Sequence, residues 1–233
     1  MEKLVYVLWK RPDQSAEALR DELLGVRAKG LAGLGARKLA LSVADEHVAY
    51  AQGSVISQLE TPITAALSFW LDTHLDRGPL EAVLHSLAAR VAGYLICESV
   101  PIVNTSQRAK PGDRTPGINT IGFLEKPDAL SYDEWLELWQ GQHTRVAIET
   151  QSTFLYIQNT VIRPLTADAP PWVAIVEEGF PADALRDQKV FYAAGDSDAK
   201  LNENRNRMIE SCRRFIEFDH LESHMFSQYV LED

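Results

Sequence analysis

Short apolar runs rich in strand formers alternate along the chain with amphipathic stripes at helical spacing, and the order occurs twice. Residues 3–9 read as a strand, stopped by Arg11-Pro12-Asp13. Ser15 then caps a helix carrying Ala16, Leu19, Leu23, Leu24 and Val26, which Gly30, Gly33 and Gly35 break. Residues 36–43 and 64–71 read as two further strands, separated by an irregular polar stretch over 45–62 with weak strand character. Leu80, Val83, Leu84, Leu87 and Val91 recur at helical spacing, and a fourth strand covers 94–100. Residues 104–117 hold no large aliphatic or aromatic residue and contain two Pro-Gly pairs, the composition of a linker.

The pattern then restarts. A strand over 118–124 is stopped by Lys126-Pro127-Asp128, and Ser131 with Glu134 has the spacing of a capping box opening a helix to about residue 148. Strands over 153–161 and 172–177, helices over 182–192 and 198–216, and a closing strand over 224–231 complete the second pass. Each pass is β-α-β-β-α-β, which folds as a four-stranded antiparallel sheet with both helices on one face. The fold class is therefore α+β: tandem ferredoxin-like halves over 1–103 and 118–233, joined by the linker. The helix-free face of each sheet needs cover. Packing the two sheets face to face supplies it, giving a barrel closed within one chain or between two chains.

Charge changes the picture in one respect. Acids and bases balance over residues 1–110, so the whole net charge of −10 falls in the second half. An acidic chain repels phosphate backbones, which argues against nucleic acid as a partner. No run approaches the ~18 apolar residues of a membrane span, and the first residues lead straight into a strand. Cys97 and Cys212 are too few for a disulfide scaffold. A cytoplasmic location is the expectation.

The run SYDEWLELWQGQHTRVAIETQSTFLYIQNTV, residues 131–161, resembles the EthD family of the dimeric α/β-barrel superfamily. The likeness lies in a capped helix with an aromatic-rich W…H core followed by a strand ending y.qn, here Trp139, His143, Tyr156, Gln158 and Asn159. Family members usually carry Pro or an apolar residue soon after the histidine, where this chain has Thr144-Arg145. Alignment of Ser15 with Ser131 places Arg27 opposite His143, so the first half lacks the histidine. The resemblance implies a ferredoxin-like barrel, association into homodimers, and chemistry on hydrophobic small molecules, often with no bound cofactor. Relatives are associated with degradative oxygenase systems and with dehydration, decarboxylation or oxidation of aromatic polyketides, and some barrels of the superfamily bind haem.

Within that frame, Trp135, Leu138, Trp139, His143 and Val146 share one helix face, so His143 points inward with the tryptophans. A neutral imidazole in a dry pocket suits general acid/base work, although the same position suits a histidine that bonds a backbone carbonyl. Tyr156 and Gln158 share a strand face opposite Leu155, Ile157 and Asn159. The apolar pair is expected under the helices, which sends Tyr156 and Gln158 into the barrel, either toward a substrate or simply bonded across the sheets. Glu177 and Glu178, adjacent on a strand, point to opposite faces and read as an acidic rim rather than a dyad. His220 and His224 straddle a loop and a strand start, a poor frame for a metal, and no metal site is expected. Phosphate-loop, dinucleotide, zinc-protease and serine-hydrolase motifs are missing from the sequence. The expectation is a cofactor-independent lyase, isomerase or monooxygenase for a hydrophobic aromatic or carbonyl-bearing molecule. His143 would be its acid/base, and Trp139, Tyr156 and Gln158 would shape the pocket. A non-catalytic accessory protein of an oxygenase pathway and a haem-binding barrel are the alternatives.

Overall fold

The computed structural model describes residues 1–231, apart from the side chain of Arg27, so that side chain, set opposite His143 by the sequence, and the last two residues of the second half lie outside the described part. In the first half, β1 (Glu2–Trp9), β2 (Arg37–Val43), β3 (Ala65–Leu71) and β4 (Arg90–Ile102) alternate with α1 (Ala16–Glu22), α2 (Ala28–Gly33) and α3 (Gly78–Leu87). In the second, β5 (Ile118–Leu124), β6 (Leu155–Pro164), β7 (Ala174–Phe180) and β8 (Glu222–Val230) alternate with α4 (Tyr132–Leu136), α5 (Thr144–Thr150), α6 (Gln188–Phe191) and α7 (Asp198–Cys212). The eight strands form one closed antiparallel barrel in the order β1-β3-β2-β8-β5-β7-β6-β4. The halves meet edge to edge at β2–β8 and β4–β6, so the barrel closes within one chain. Closure removes every free sheet edge.

Alternation along the strands separates two cores. Val5, Val7, Trp9, Ile121, Phe123, Ile175 and Phe226 point inward and fill the barrel. Leu4, Tyr6, Leu8, Leu67 and Phe69 point outward and meet Leu19, Leu23, Leu80, Leu84 and Leu87 of the first-half helices. One end of the barrel interior is polar: Lys3 bonds Glu98 and Asn159, and Asn159 donates to Glu177 at 2.9 Å. Burying that ammonium is tolerable because two carboxylates and an amide surround it.

The helix start at Ser131 is the expected capping box, with Ser131 Oγ accepting from Glu134 N and the Glu134 carboxylate accepting from Ser131 N. Glu137–His143 forms a π-helical turn between the two α-helical pieces of the second half, whereas over Leu23–Arg27 the first-half helix is kinked at Gly25, whose backbone is not helical (φ −82°, ψ −126°). A π turn takes more residues per revolution than an α turn. Trp135, Trp139, His143 and Ala147, four apart, are therefore all buried, while Leu138 and Val146 slip to the half-buried flanks.

Several sequence expectations shift. The stretch over 45–62 holds a 3₁₀ helix, Glu46–Ser54, capped by Asp45, which is buried and bonded by Ser227, Tyr229 and Arg20. That anchoring is tertiary and has no local signature. Val91 belongs to β4 rather than to the helix before it, and the helix expected over 182–192 contracts to α6. Both faces of β6 are buried. Tyr156 packs with Trp135 and Trp139 beneath the second-half helices, and Gln158 donates to Thr144 of α5 at 2.8 Å. Asn159, of opposite parity, reaches the barrel interior at Glu177. Tyr156 and Gln158 thus face the helices and not the barrel. The rule that sends the apolar pair beneath the helices loses its force when both sides of a strand are core.

Candidate active site

The helix-covered faces of the two sheets differ. The ladder pairs Leu8–Ala65 and Leu124–Ala174 begin equivalent runs in the two halves. Aligned there and on the helix caps Ser15 and Ser131, Leu4, Tyr6 and Phe69 correspond to Thr120, Gly122 and Glu178. In the first half the three large side chains are fully buried, Tyr6 stacking on Phe69 with centroids 5.5 Å apart. In the second half their places hold a threonine, a glycine and a glutamate. The space opened is a cavity of about 530 Å³ between sheet and helices.

Its floor is Thr120, Gly122, Tyr156, Val176 and Glu178; Trp139 and His143 of the π turn and Met208 and Cys212 of α7 cover it. Phe191, Tyr192, Ile209, Arg213 and Phe218 surround the opening, the last three exposed. The volume suits a small organic molecule, and the wall is chiefly apolar with a few polar groups.

His143 Nδ1 lies 2.9 Å from Ser211 Oγ of α7, and the ring packs against Phe215 at 4.7 Å. Nε2 makes no hydrogen bond to a described residue. Burial disfavours the imidazolium and brings the pKa down to about 4, so the ring is neutral at pH 7. Trp139 packs on Trp135 at 4.9 Å, and Trp135 donates its indole N–H to Phe215 O, which fixes the helix to the turn after α7. Tyr156 presents its ring to the cavity and accepts a hydrogen bond from Gln158 Nε2 at 3.0 Å. Burial raises its phenol, and the nearby Glu178 adds to the effect. Gln158 is absent from the wall: bonded to both Tyr156 and Thr144, it holds the phenol from behind. The structure therefore gathers His143, Trp139 and Tyr156 on one cavity and puts Gln158 in support.

Glu178 is the residue that sequence reasoning passed over. The two glutamates do point to opposite faces, but neither is a rim residue. Glu177 enters the barrel network with Asn159 and Lys3. Glu178 lies on the cavity floor, next to Tyr156 on one ladder and Thr120 on the other, with no hydrogen-bond partner among the described residues. The residue is half-buried, and desolvation lifts its carboxyl pKa to about 7. Burial likewise pushes the Cys212 thiol up to about 12, leaving it protonated and unreactive. Comparison of the two halves, in which Phe69 gives way to Glu178, is the sequence signal that could have found the site.

The remaining histidines do not join it. His220 is exposed beside Glu125, whereas His224, far from lying in a surface loop, is buried against Glu222 at 2.8 Å. Among the described residues, Asp45, Glu46 and His47 bring three ligand atoms together, but Arg20 already bridges the two carboxylates.

No family model matches the chain, and no curated protein does either. Solved structures do. An anthrone oxidase-like protein aligns over 100% of this chain and 93% of its own length, with a TM-score of 0.52 at 10% identity. A dye-decolorizing peroxidase from Bacteroides thetaiotaomicron gives 0.53 at 7% identity, covering 99% of this chain and 93% of the peroxidase. A candidate monooxygenase from Lactobacillus acidophilus gives 0.50 at 12% identity, covering 99% and 96%. At these identities the likeness is one of fold: the α+β barrel is shared along essentially the whole chain.

Proposed function

We propose that the chain is an enzyme of the EthD-like kind that binds a hydrophobic aromatic or carbonyl-bearing molecule in the second-half cavity and uses His143 in proton transfer. The observation that carries this is the cavity itself, opened between sheet and helices where the first half is filled by Leu4, Tyr6 and Phe69, and walled by Trp139, His143 and Tyr156. Neighbours described as an anthrone oxidase-like protein and a candidate monooxygenase support the same direction. The chemistry begins with removal of a proton from a C–H or O–H made acidic by an adjacent carbonyl or ring. Ser211 holds one imidazole nitrogen, leaving Nε2 as the acceptor. Water exclusion by the tryptophans and Phe215 keeps the proton within the site.

A haem, known in the superfamily, matches these residues poorly. His143 could offer a nitrogen, but a haem's two carboxylates call for cations, and the lining holds only Arg213, at the mouth, with Glu178 adding an acid inside. A Soret band in the purified protein would reverse this reading. The low basicity of His143 favours one alternative, an accessory protein that binds without turnover. A cytoplasmic homodimer of the 26.1 kDa chain completes the proposal, and sedimentation equilibrium measures the dimer.

The test is aerobic and anaerobic incubation with anthrone and related hydroxyaryl ketones, followed by mass spectrometry. H143A is expected to fold, to bind with little loss, and to lower turnover about 10²–10⁴-fold. Full turnover by H143A would remove His143 from the chemistry. Binding without turnover by the native chain would leave the accessory role.

A further inference from the structure

Glu178 has no assigned part in that reading, yet its placement is unusual. Its counterpart in the first half, Phe69, is fully buried against Tyr6, so the position is a core position by the logic of the fold. In the second half the same position carries a half-buried carboxyl group on the wall of a chiefly apolar cavity that Val176, Leu124 and Met208 also line, and it bonds no described residue. A carboxyl group drawn largely out of water without a partner is costly. Lys3 shows how this molecule satisfies a buried charge when it needs only structure: it surrounds it. No such provision is made for Glu178. The lone cation among the lining residues, Arg213, is exposed at the mouth.

We propose that Glu178 is the specificity-determining polar anchor of the cavity, which takes a neutral, largely apolar ring molecule carrying a hydroxyl or amino hydrogen-bond donor and rejects carboxylates. This rests on the cavity being the ligand site, and it names the class of ligand. A donor on the ligand supplies the partner that the protein withholds. A ligand carboxylate would instead be brought beside a second carboxyl group in a medium of low dielectric, where like charges repel strongly. Glu178 is shifted into the neutral range by burial, so the rejection strengthens as pH rises through about 7 and the carboxyl ionises. Tyr156 and Thr120, its ladder neighbours, bound the same spot and confine the donor to it.

The experiment uses three probes of one shape, 2-naphthol, 2-methoxynaphthalene and 2-naphthoate, titrated calorimetrically into the full chain at pH 6 and pH 8. The native protein should bind naphthol about tenfold more tightly than its methyl ether, the equivalent of one hydrogen bond to a charged or polar acceptor. Naphthoate should bind more weakly than either, and more so at pH 8 than at pH 6. In E178L the advantage of naphthol over the ether should vanish. In E178Q, which keeps the shape and an acceptor oxygen, naphthol should still bind while the pH-dependent penalty on naphthoate disappears. If the ether binds but naphthol has no advantage, or E178L keeps the advantage, the anchor proposal is overturned and the cavity stands. If none of the three binds, the cavity reading falls and the anchor with it.

Discussion

On the cavity wall, His143 and Glu178 are displaced in opposite senses by the same cause, loss of water. His143 has a folded-state pKa near 4, below its ordinary value of 6.5. The native state thus binds fewer protons than the unfolded chain between those values, and stability contributed by neutral His143 is lost as pH falls from 6.5 toward 4. Glu178 is the mirror case, raised from 4.5 to about 7. Here the native state binds more protons, so stability is fully present below pH 4.5 and is lost as pH rises through 7. The effect is on the order of 3 kcal/mol at most. E178Q should therefore be more stable than the native chain at pH 8 and close to it at pH 4, as read by urea unfolding across pH. A native advantage at pH 8 would mean that the carboxylate has a partner. For H143Q, the decline in stability from pH 6.5 to pH 4 should be shallower than in the native protein.

At the level of elements, β5 decides whether there is room for a ligand. An added Cβ at Gly122 would meet Leu124 and Val176 only at 3.9 and 4.0 Å, ordinary contact distances. A larger side chain there would enter the cavity as Tyr6 does in the first half. G122F is expected to abolish binding of every probe while thermal unfolding stays at or above the native temperature. Retained binding would place the ligand elsewhere. The helix above tolerates the opposite change less well. W139A removes a fully buried indole that packs on Trp135, and should cost about 3–5 kcal/mol in chemical denaturation. In the first half the place of the π turn that sets Trp139 and His143 on one face is taken by a kink at Gly25, and Leu23 beside it is buried in a filled core. The halves thus differ in the helix as well as in the sheet side chains beneath it, which fill the first half and leave the cavity in the second.

For the whole molecule, closure matters most. The halves share two seams, β2–β8 and β4–β6, and Lys3 of one half is neutralised by Glu177 of the other. A chain cut within residues 104–117, which hold no helix or regular strand, would expose four strand edges and half of the barrel core. Each fragment expressed alone is expected to aggregate or remain partly unfolded, and co-expression should restore the native circular dichroism. A second-half fragment that is monomeric and cooperatively folded would show that closure is dispensable. Among the described residues no helix is long and apolar enough to cross a membrane.

Periodicity and capping in the sequence were enough to determine the order of elements, the two Ser-capped helices and the inward phase of Trp135, Trp139 and His143, because these depend on near neighbours along the chain. The same local rules misplaced Tyr156 and Gln158, since alternation tells which residues share a face but not which face is which when both are buried. They also left Glu178 as part of an acidic rim. Its place on the cavity wall arises from residues distant in sequence, Met208 and Cys212 above, and from Gly122 standing where the first half has a tyrosine. The cavity is a difference in volume between two similar halves, and such a difference exists only once the sheets are closed and the helices laid over them.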